Sequence, residues 1–323
     1  MLSKFFFKLF PPPKYLNIPY AGLDISDDAI RCIEYSEHRS GYTLKRYGMR
    51  NLLPGVIESG YIKNESSLIQ ELAQLKKDLG INVVKVSLPE ERMYLFKTEV
   101  PDVNEDQIRQ NIEFKLEENV PISAADAIFF FDKMPQSMSK GKIFASVSVT
   151  PKDLVNSYLN ALKSAGLTTV SFEIQAKAIG RAVVPYDSTD TVMIVHLMNK
   201  KTGIYIVSSG VICFTSTISW GAESIRNKNI ADIPDLIFNL KHEIERVYSY
   251  WSQHGEDQKI NSIIVSGRDA TVVSQISHIS PDSSVNMVVA DVWQNAFSVN
   301  HYVPKIPFDD SLDYATAAGL ALP

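Results

Sequence analysis

Cysteine is almost missing from this chain: Cys32 and Cys213 are the only two among 323 residues, and each falls inside an apolar, strand-like stretch. That excludes a disulfide framework and points to two reduced core thiols of a cytosolic protein. The six histidines show no HExxH or other ligand spacing, so no metal site of His and Cys is expected. Lysine and arginine are scattered, and the net charge is -5, which leaves no electrostatic footprint for nucleic acid. Long apolar runs are missing too. The N-terminal "MLSKFFFKLFPPPKYLNIPY" is broken by Lys8 and stopped by Pro11, Pro12 and Pro13. A signal peptide needs roughly 7–15 apolar residues with a small-residue cleavage site, and a membrane helix about 20. Two readings of this segment stay open: a frayed tail, or a weak membrane-surface or partner-docking plug. The plug would be made of Phe5, Phe6, Phe7, Leu9 and Phe10 beside Lys4 and Lys8.

What is present is an ordinary globular mixture, 45% hydrophobic and 21% charged. The length suits two domains of about 150 residues each. Strands are expected at Ala21–Ile25, Ala29–Tyr35 and Thr43–Met49. A helix follows at about 66–79 with Leu68, Leu72, Leu75 and Leu79 on one stripe and Gly80 as its stop, then the buried strand "INVVKVSLP". A second block runs over about 88–167. It holds a strand at 93–98 and a helix capped by Asn104 that buries Ile108, Ile112 and Leu116. Two further strands (128–134 and 143–149) and a helix from Pro151 to Gly166 complete it.

The second half repeats the plan of the first. "TVMIVHLMNKKTGIYIVSSGVICFTSTIS" holds three short strands, and a helix follows at about 234–254 with Leu236, Leu240, Ile244, Val247 and Trp251 on its buried stripe. The strand "INSIIVSG" ends at Gly267. Three strands, a helix and a strand, used twice, describe a duplicated α/β architecture. In this register His196 occupies the place of Asp24.

One hairpin raises a question of function. "AGLDISDDAIRCIEYS" runs from an apolar strand through Asp24 into a polar turn and out along a second strand, as phosphate-binding hairpins do. Such turns need small residues, because backbone N–H groups must approach the phosphates. Here the turn is Ser26, Asp27, Asp28, which puts two carboxylates in that place.

Five phrases, in order, narrow the reading: "AGLDISDDAIRCIEYS", "LLPGVIESGYIKNESSLIQEL", "VSLPEERMYLFKTEVPDVNEDQIRQNIEFKLEENVPI", "SFEIQAKAIGRAV" and "SLDYATAAGLAL". From Tyr20 onward the chain resembles the PilM family, cytoplasmic actin-like proteins of type IV pilus assembly related to the division protein FtsA. The resemblance implies a duplicated actin-like (ribonuclease H-like) two-lobe α/β fold with a small α+β subdomain inserted in the first lobe. Residues 1–19 are then a tail, 20–87 with 168–186 the first lobe, and 88–167 the FtsA-type insertion. Residues 187–310 form the second lobe, with a fourth subdomain shortened to "GAESIRNKNIADI", and 311–323 a closing helix that packs on the first.

The resemblance also implies a nucleotide site, which this sequence departs from. The family's first phosphate loop reads roughly Asp-x-Gly-Ser-Ser, against Asp24, Ile25, Ser26, Asp27, Asp28 here. The second should read Asp-x-Gly and is His196, Leu197, Met198, while the glycine-rich adenosine loop is "SGRDA", keeping Gly267. Carboxylates within about 4–6 Å of a triphosphate are costly unless a metal neutralises them. The expectation is the remnant of an ATP site with Asp24, Ser26 and Gly267 as its surviving contacts. No cofactor is required, ATP with Mg²⁺ being the one candidate, and the chain is expected to be a pseudo-ATPase rather than an enzyme.

The family role is a scaffold that binds the N-terminal cytoplasmic segment of a single-span membrane protein, PilN, in a groove between the first lobe and its insertion. Pro89, Pro101, Phe114 and Pro121 are the residues expected to mark the walls. Further partners implied are other inner-membrane pilus components, the cytoplasmic motor ATPase and, weakly, the membrane surface. The expected place is the cytoplasm, peripheral to the inner membrane face. Other readings are a nucleotide-gated ATP-binding member and the cytoplasmic domain of a type II secretion protein. The latter should continue into a membrane span, whereas this chain ends just after its closing helix. A sugar or acetate kinase on the same fold ranks last.

Overall fold

In the computed structural model, residues 18–38, 41–134, 141–226, 238–255, 258–274, 280–281 and 285–323 are described. The Phe-rich N-terminus and Leu236 lie outside them. The first lobe opens with β1 (Ala21–Ile25), β2 (Ala29–His38) and β3 (Gly41–Asn51), an antiparallel meander. A small hairpin of β4 (Ile57–Glu58) and β5 (Tyr61–Ile62) leads to α1 (Glu65–Leu79). The helix starts where the Asn64 side chain accepts the Ser67 N–H and ends at Gly80, whose φ of 65° few side chains tolerate. Leu68, Leu72 and Leu75 form its buried stripe. β6 (Val83–Leu88) then lies parallel to β1, and its near-continuous apolar run suits a strand covered on both faces.

The insertion is a three-stranded antiparallel sheet, ordered β7 (Tyr94–Pro101), β9 (Lys142–Pro151), β8 (Ala127–Lys133). Its one long helix, α2 (Glu105–Asn119), begins where Asn104 accepts the Gln107 N–H. Ile108, Ile112 and Leu116 of α2 meet Val100, Ala145, Val147 and Val149 in a separate core.

α3 (Lys152–Ser164) was expected to belong to this insertion, and its packing says otherwise. Leu154, Tyr158, Ala161 and Leu162 share one core with Leu72 and Leu75 of α1 and with Leu23, Val84 and Val86 of the first sheet. The helical period was legible, but periodicity does not say which of two neighbouring sheets a stripe will cover. After α3, β10 (Thr168–Ile174) adds to β6 in parallel, so the first sheet runs β10-β6-β1-β2-β3.

α4 (Gln175–Val183) passes to the second lobe. There β11 (Thr191–Leu197), β12 (Thr202–Ser208) and β13 (Val211–Ile218) form a second meander, followed by α5 (Phe238–His254) and by β14 (Ile260–Gly267) and β15 (Asn286–Val289). The sheet order β13-β12-β11-β14-β15 copies that of the first lobe, strand for strand and direction for direction. The two sheets are separate. This is the duplicated two-lobe actin-like fold with an insertion in its first lobe.

Helix α6 (Ala315–Ala321) closes the molecule, packed against α4 and β1. Its small residues are needed there: a Cβ on Gly22 of β1 would lie 2.1 Å from the Ala317 carbonyl oxygen. α4, α6 and the stretch from Trp293 to Ile306 share one core with the second sheet and with Ile33 and Tyr35 of the first. The lobes therefore meet across a continuous apolar layer, with a polar cleft at its open end.

Candidate functional site: the interlobe cleft

The β1–β2 hairpin builds one wall of the cleft. Alternation along β1 turns Leu23 into the first core and Asp24 toward the second lobe, where it is buried. The Ser87 hydroxyl donates to Asp24 Oδ1 at 2.8 Å, and Arg31 Nη1 lies 3.7 Å from Oδ2. Burial pushes the Asp24 carboxyl upward, with Arg31 and Ser87 pulling it back. Ser26 closes the turn: its hydroxyl lies 2.8 Å from Asp28 Oδ1 and accepts from Arg31 Nη1 at 3.1 Å.

The second lobe supplies the opposing wall in the same register. His196 pairs with Gly203 on one side and Ser266 on the other, as Asp24 stands beside Ser87 in the first lobe. Burial pushes the imidazole down to about 4, with Asp313 pulling it up and Arg31 down. His196 Nδ1, Ser266 Oγ and the Tyr205 hydroxyl, all buried, have no hydrogen-bond partner among the described residues. The Tyr205 hydroxyl fills the space over Gly203, 2.0 Å from where a Cβ would be. Met198 rests on the cleft floor, where Gln175 Nε2 approaches its sulfur at 3.8 Å.

Charges join the two walls. Lys201, in the turn between β11 and β12, contacts Glu91 at the root of the insertion and lies 3.5 Å from Asp27 Oδ2. Asp27 also accepts the Gly60 N–H at 3.1 Å, and the Tyr158 hydroxyl holds the Gly60 carbonyl at 2.9 Å. Arg268, just past β14, reaches Asp313 at 2.6 Å and Asp28 at 3.5 Å. Arg31 adds contacts to Asp28 at 3.6 Å and Asp313 at 3.8 Å. Asp27 and Asp28, expected to project toward a phosphate position, are turned instead onto these cations. A cavity of about 400 Å³ remains at the mouth, bordered by Ser26, Asp28, Ser59, Met198 and Lys201.

Of the expected nucleotide contacts, Asp24 and Ser26 lie together in the hairpin, and Gly267 stands across the cleft at the end of β14. Gly267 has its own structural reason: its φ is 85°, and a Cβ there would lie 2.1 Å from the Leu197 carbonyl oxygen. Sequence reasoning missed Arg31, Lys201, Arg268 and Asp313, whose partners lie far along the chain. It also missed Glu90. That carboxylate is buried where the insertion leaves the first lobe, accepts the Ala176 N–H of α4 at 3.2 Å, and meets Thr215 of β13. Burial pushes it up to about 7, against the bonds from Ala176 and Thr215. The only signal was a charge pair, "PEER", directly after a strand.

The four residues expected to wall a partner groove are not gathered together. Pro89 is buried under Gly60, 2.6 Å from where its Cβ would be. Pro101 is exposed at the far end of β7. Phe114 is 85% exposed on the face of α2 opposite Ile108, Ile112 and Leu116, and Pro121 is exposed beyond that helix. A different apolar set flanks the junction of lobe and insertion. β10 and β8 are the outermost strands of their sheets. Val170 sits at a bulge of β10 and is 53% exposed. Phe130 of β8 and Leu159 of α3, which packs beside β10, are also exposed. Lys177 of α4 holds Asp132 of β8 at 2.8 Å, which fixes the insertion against the body.

Two lobes of one topology, an insertion in the first and a polar cleft between them define an actin-like protein that carries an extra subdomain in its first lobe. Residues 22–238 match the family of type IV pilus assembly protein PilM, and the chain belongs to that family. Its structure is similar to that of PilM in a PilM–PilN type IV pilus biogenesis complex, with a TM-score of 0.78 at 17% identity, covering 94% of this chain and 98% of that one. It is also similar, at a TM-score of 0.49 and 14% identity, to the ethanolamine utilization protein EutJ of Carboxydothermus hydrogenoformans, covering 97% of this chain and 90% of that one. The cytoplasmic domain of EpsL, from the type II secretion system of Vibrio cholerae, matches at 0.48 and 11% identity over 77% of this chain and 82% of that one. No curated protein matches in sequence. Among the described residues, no helix is long and apolar enough to cross a membrane.

Proposed function

We propose that this chain is a non-catalytic scaffold of a type IV pilus machine, or of a related secretion or competence machine, that holds the N-terminal cytoplasmic segment of a PilN-like single-span protein. It would work in the cytoplasm against the inner membrane. The observation that carries the reading is the pair of outer strands β8 and β10 with exposed Phe130, Val170 and Leu159 at the junction of lobe and insertion. An outermost strand offers unpaired backbone groups to an extended peptide, and flanking apolar side chains select its sequence. The test is fluorescence anisotropy of a labelled peptide from the cytoplasmic N-terminus of a PilN-like protein. Val170→Asp and Phe130→Asp should each weaken binding at least ~10-fold, about 1.4 kcal/mol, with Phe114→Arg neutral. The opposite pattern would move the groove to α2 and sink this assignment.

The non-catalytic part is supported by the cleft. Phosphates entering it would have to displace the carboxylates paired to Lys201 and Arg268, and Met198 occupies its floor. Positioning and electrostatics supply most of phosphoryl-transfer catalysis, and these cations are already engaged. Calorimetry with Mg-ATP should show no sub-micromolar binding. A tight isotherm weakened by Asp24→Asn would favour the nucleotide-gated alternative.

A further inference from the structure

The walls of the cleft are joined by charge at two separate places, and each junction has the same polarity. Lys201 and Arg268 are both second-lobe cations, placed in turns at the ends of β11 and β14. Across the cleft they meet Asp27 and Asp28 in the β1–β2 turn and Glu91 at the root of the insertion, while Asp313, in a short turn packed against both β14 and β2, braces Arg268 from the side. The side chains of Lys201, Glu91, Arg268 and Asp313 are each only 17–20% exposed. At that depth salt screens a pair less than at the surface. Removing Lys201 would leave the Glu91 carboxylate, 17% exposed, without the cation it contacts, whereas Asp28 and Asp313 would keep Arg31 if Arg268 were removed.

Behind these junctions the lobes meet through α4 and α6. Gln175 and Thr316, 3.4 Å apart, face the cleft, and about one turn further back Gly319 lies against the Ala178 backbone. Backbone packed on backbone leaves little freedom to slide, so relative motion of the lobes is a rotation about the crossing, and the ion pairs sit at its moving end.

We propose that Lys201 and Arg268 form a two-point latch that holds the lobes closed with no ligand between them. In a two-lobe protein an anion bound in the cleft can bridge the walls. Here the anions are side chains of one wall and the cations are side chains of the other, so the bridge is part of the chain. Closure becomes the resting state, and the surfaces shared by lobe, insertion and second lobe are set in advance of any partner. The latch does not rest on the partner reading, and either can fail without the other.

The test uses the full chain with spin labels at Glu58→Cys and Glu223→Cys, exposed positions on either side of the mouth, in a Cys213→Ser background. Without ligand, the distance distribution should be single and narrow and should not change with Mg-ATP. Lys201→Met/Arg268→Met should shift it to longer distances and broaden it. The exchange Lys201→Glu/Glu91→Lys should return it toward the unsubstituted distance, while either half alone should not. An unsubstituted protein as broad as the double variant, a narrowing with Mg-ATP, or a double variant that stays closed would each overturn the latch. Should the double variant fail to fold, Lys201→Met alone decides: a distribution that lengthens or broadens supports the latch, and an unchanged one refutes it.

Discussion

Gly319 lies so close to Ala178 that a Cβ on the glycine would sit 1.7 Å from the Ala178 carbonyl oxygen. The contact is backbone on backbone between α4 and α6, so no side-chain rotation can relieve it. Gly319→Ala should therefore cost about 3 kcal/mol or more, the upper end of overpacking, despite alanine's better helix propensity. Gly180, two residues along α4 and on another face of the helix, is the control. A Cβ there meets Val207 at 3.5 Å, an ordinary contact, so Gly180→Ala should be neutral or stabilising by up to about 1 kcal/mol. Denaturant midpoints measured side by side check both. Equal effects would mean that α6 does not seat as described.

The membership of α3 is testable through what its loss exposes. Leu162→Ala removes a fully buried side chain from the core between α3, α1 and the first sheet, at a cost of roughly 2–5 kcal/mol. Amide exchange should quicken in β1, β6 and α1. Ile112→Ala, in the separate core of the insertion, should quicken β7, β8 and β9 and leave β1 and β6 protected. If Leu162→Ala instead loosens the insertion and spares the first sheet, α3 belongs where the sequence reading had put it.

What could be read from the sequence was local. The stripes of α1 and α2, the Asn104 cap and the repeated strand–helix order depend on spacings of three to eight residues, and each formed as expected. The correspondence of Asp24 with His196 also holds, because both follow from strand register. The site was less legible because its partners are distant: Lys201 meets a carboxylate 110 residues away and Arg268 one 240 residues away. A sequence shows Asp27 and Asp28 as two adjacent negative charges, with nothing nearby to say which cations they face. Pro89, Pro101 and Pro121 mark where elements end, which is a statement about backbone and does not by itself bring side chains to one surface.

Two buried titratable groups near the cleft should respond to pH with opposite signs. Glu90 has its carboxyl raised from 4.5 to about 7, chiefly by burial; Glu91 adds to the rise and Lys201 opposes it. A carboxyl raised on folding contributes stability that is full below 4.5 and is lost as pH climbs through 7, on the order of 3 kcal/mol in total. His196 is lowered from 6.5 to about 4 by burial, with Asp313 and Arg31 as the charges that face it. An imidazole lowered on folding contributes stability that is full above 6.5 and is lost as pH falls through 4, again about 3 kcal/mol. Between roughly 4.5 and 6.5 the two oppose each other, so the unsubstituted protein hides both. Glu90→Gln keeps an acceptor for the Ala176 N–H and removes the titration. Its stability relative to the unsubstituted protein should rise steadily from pH 4.5 to 7. His196→Asn should do the reverse, its relative stability falling from pH 4 to 6.5. Urea midpoints at half-unit pH steps resolve the two slopes. Slopes of the same sign would overturn the assignment of the group whose variant slopes the wrong way, and two flat lines would overturn both.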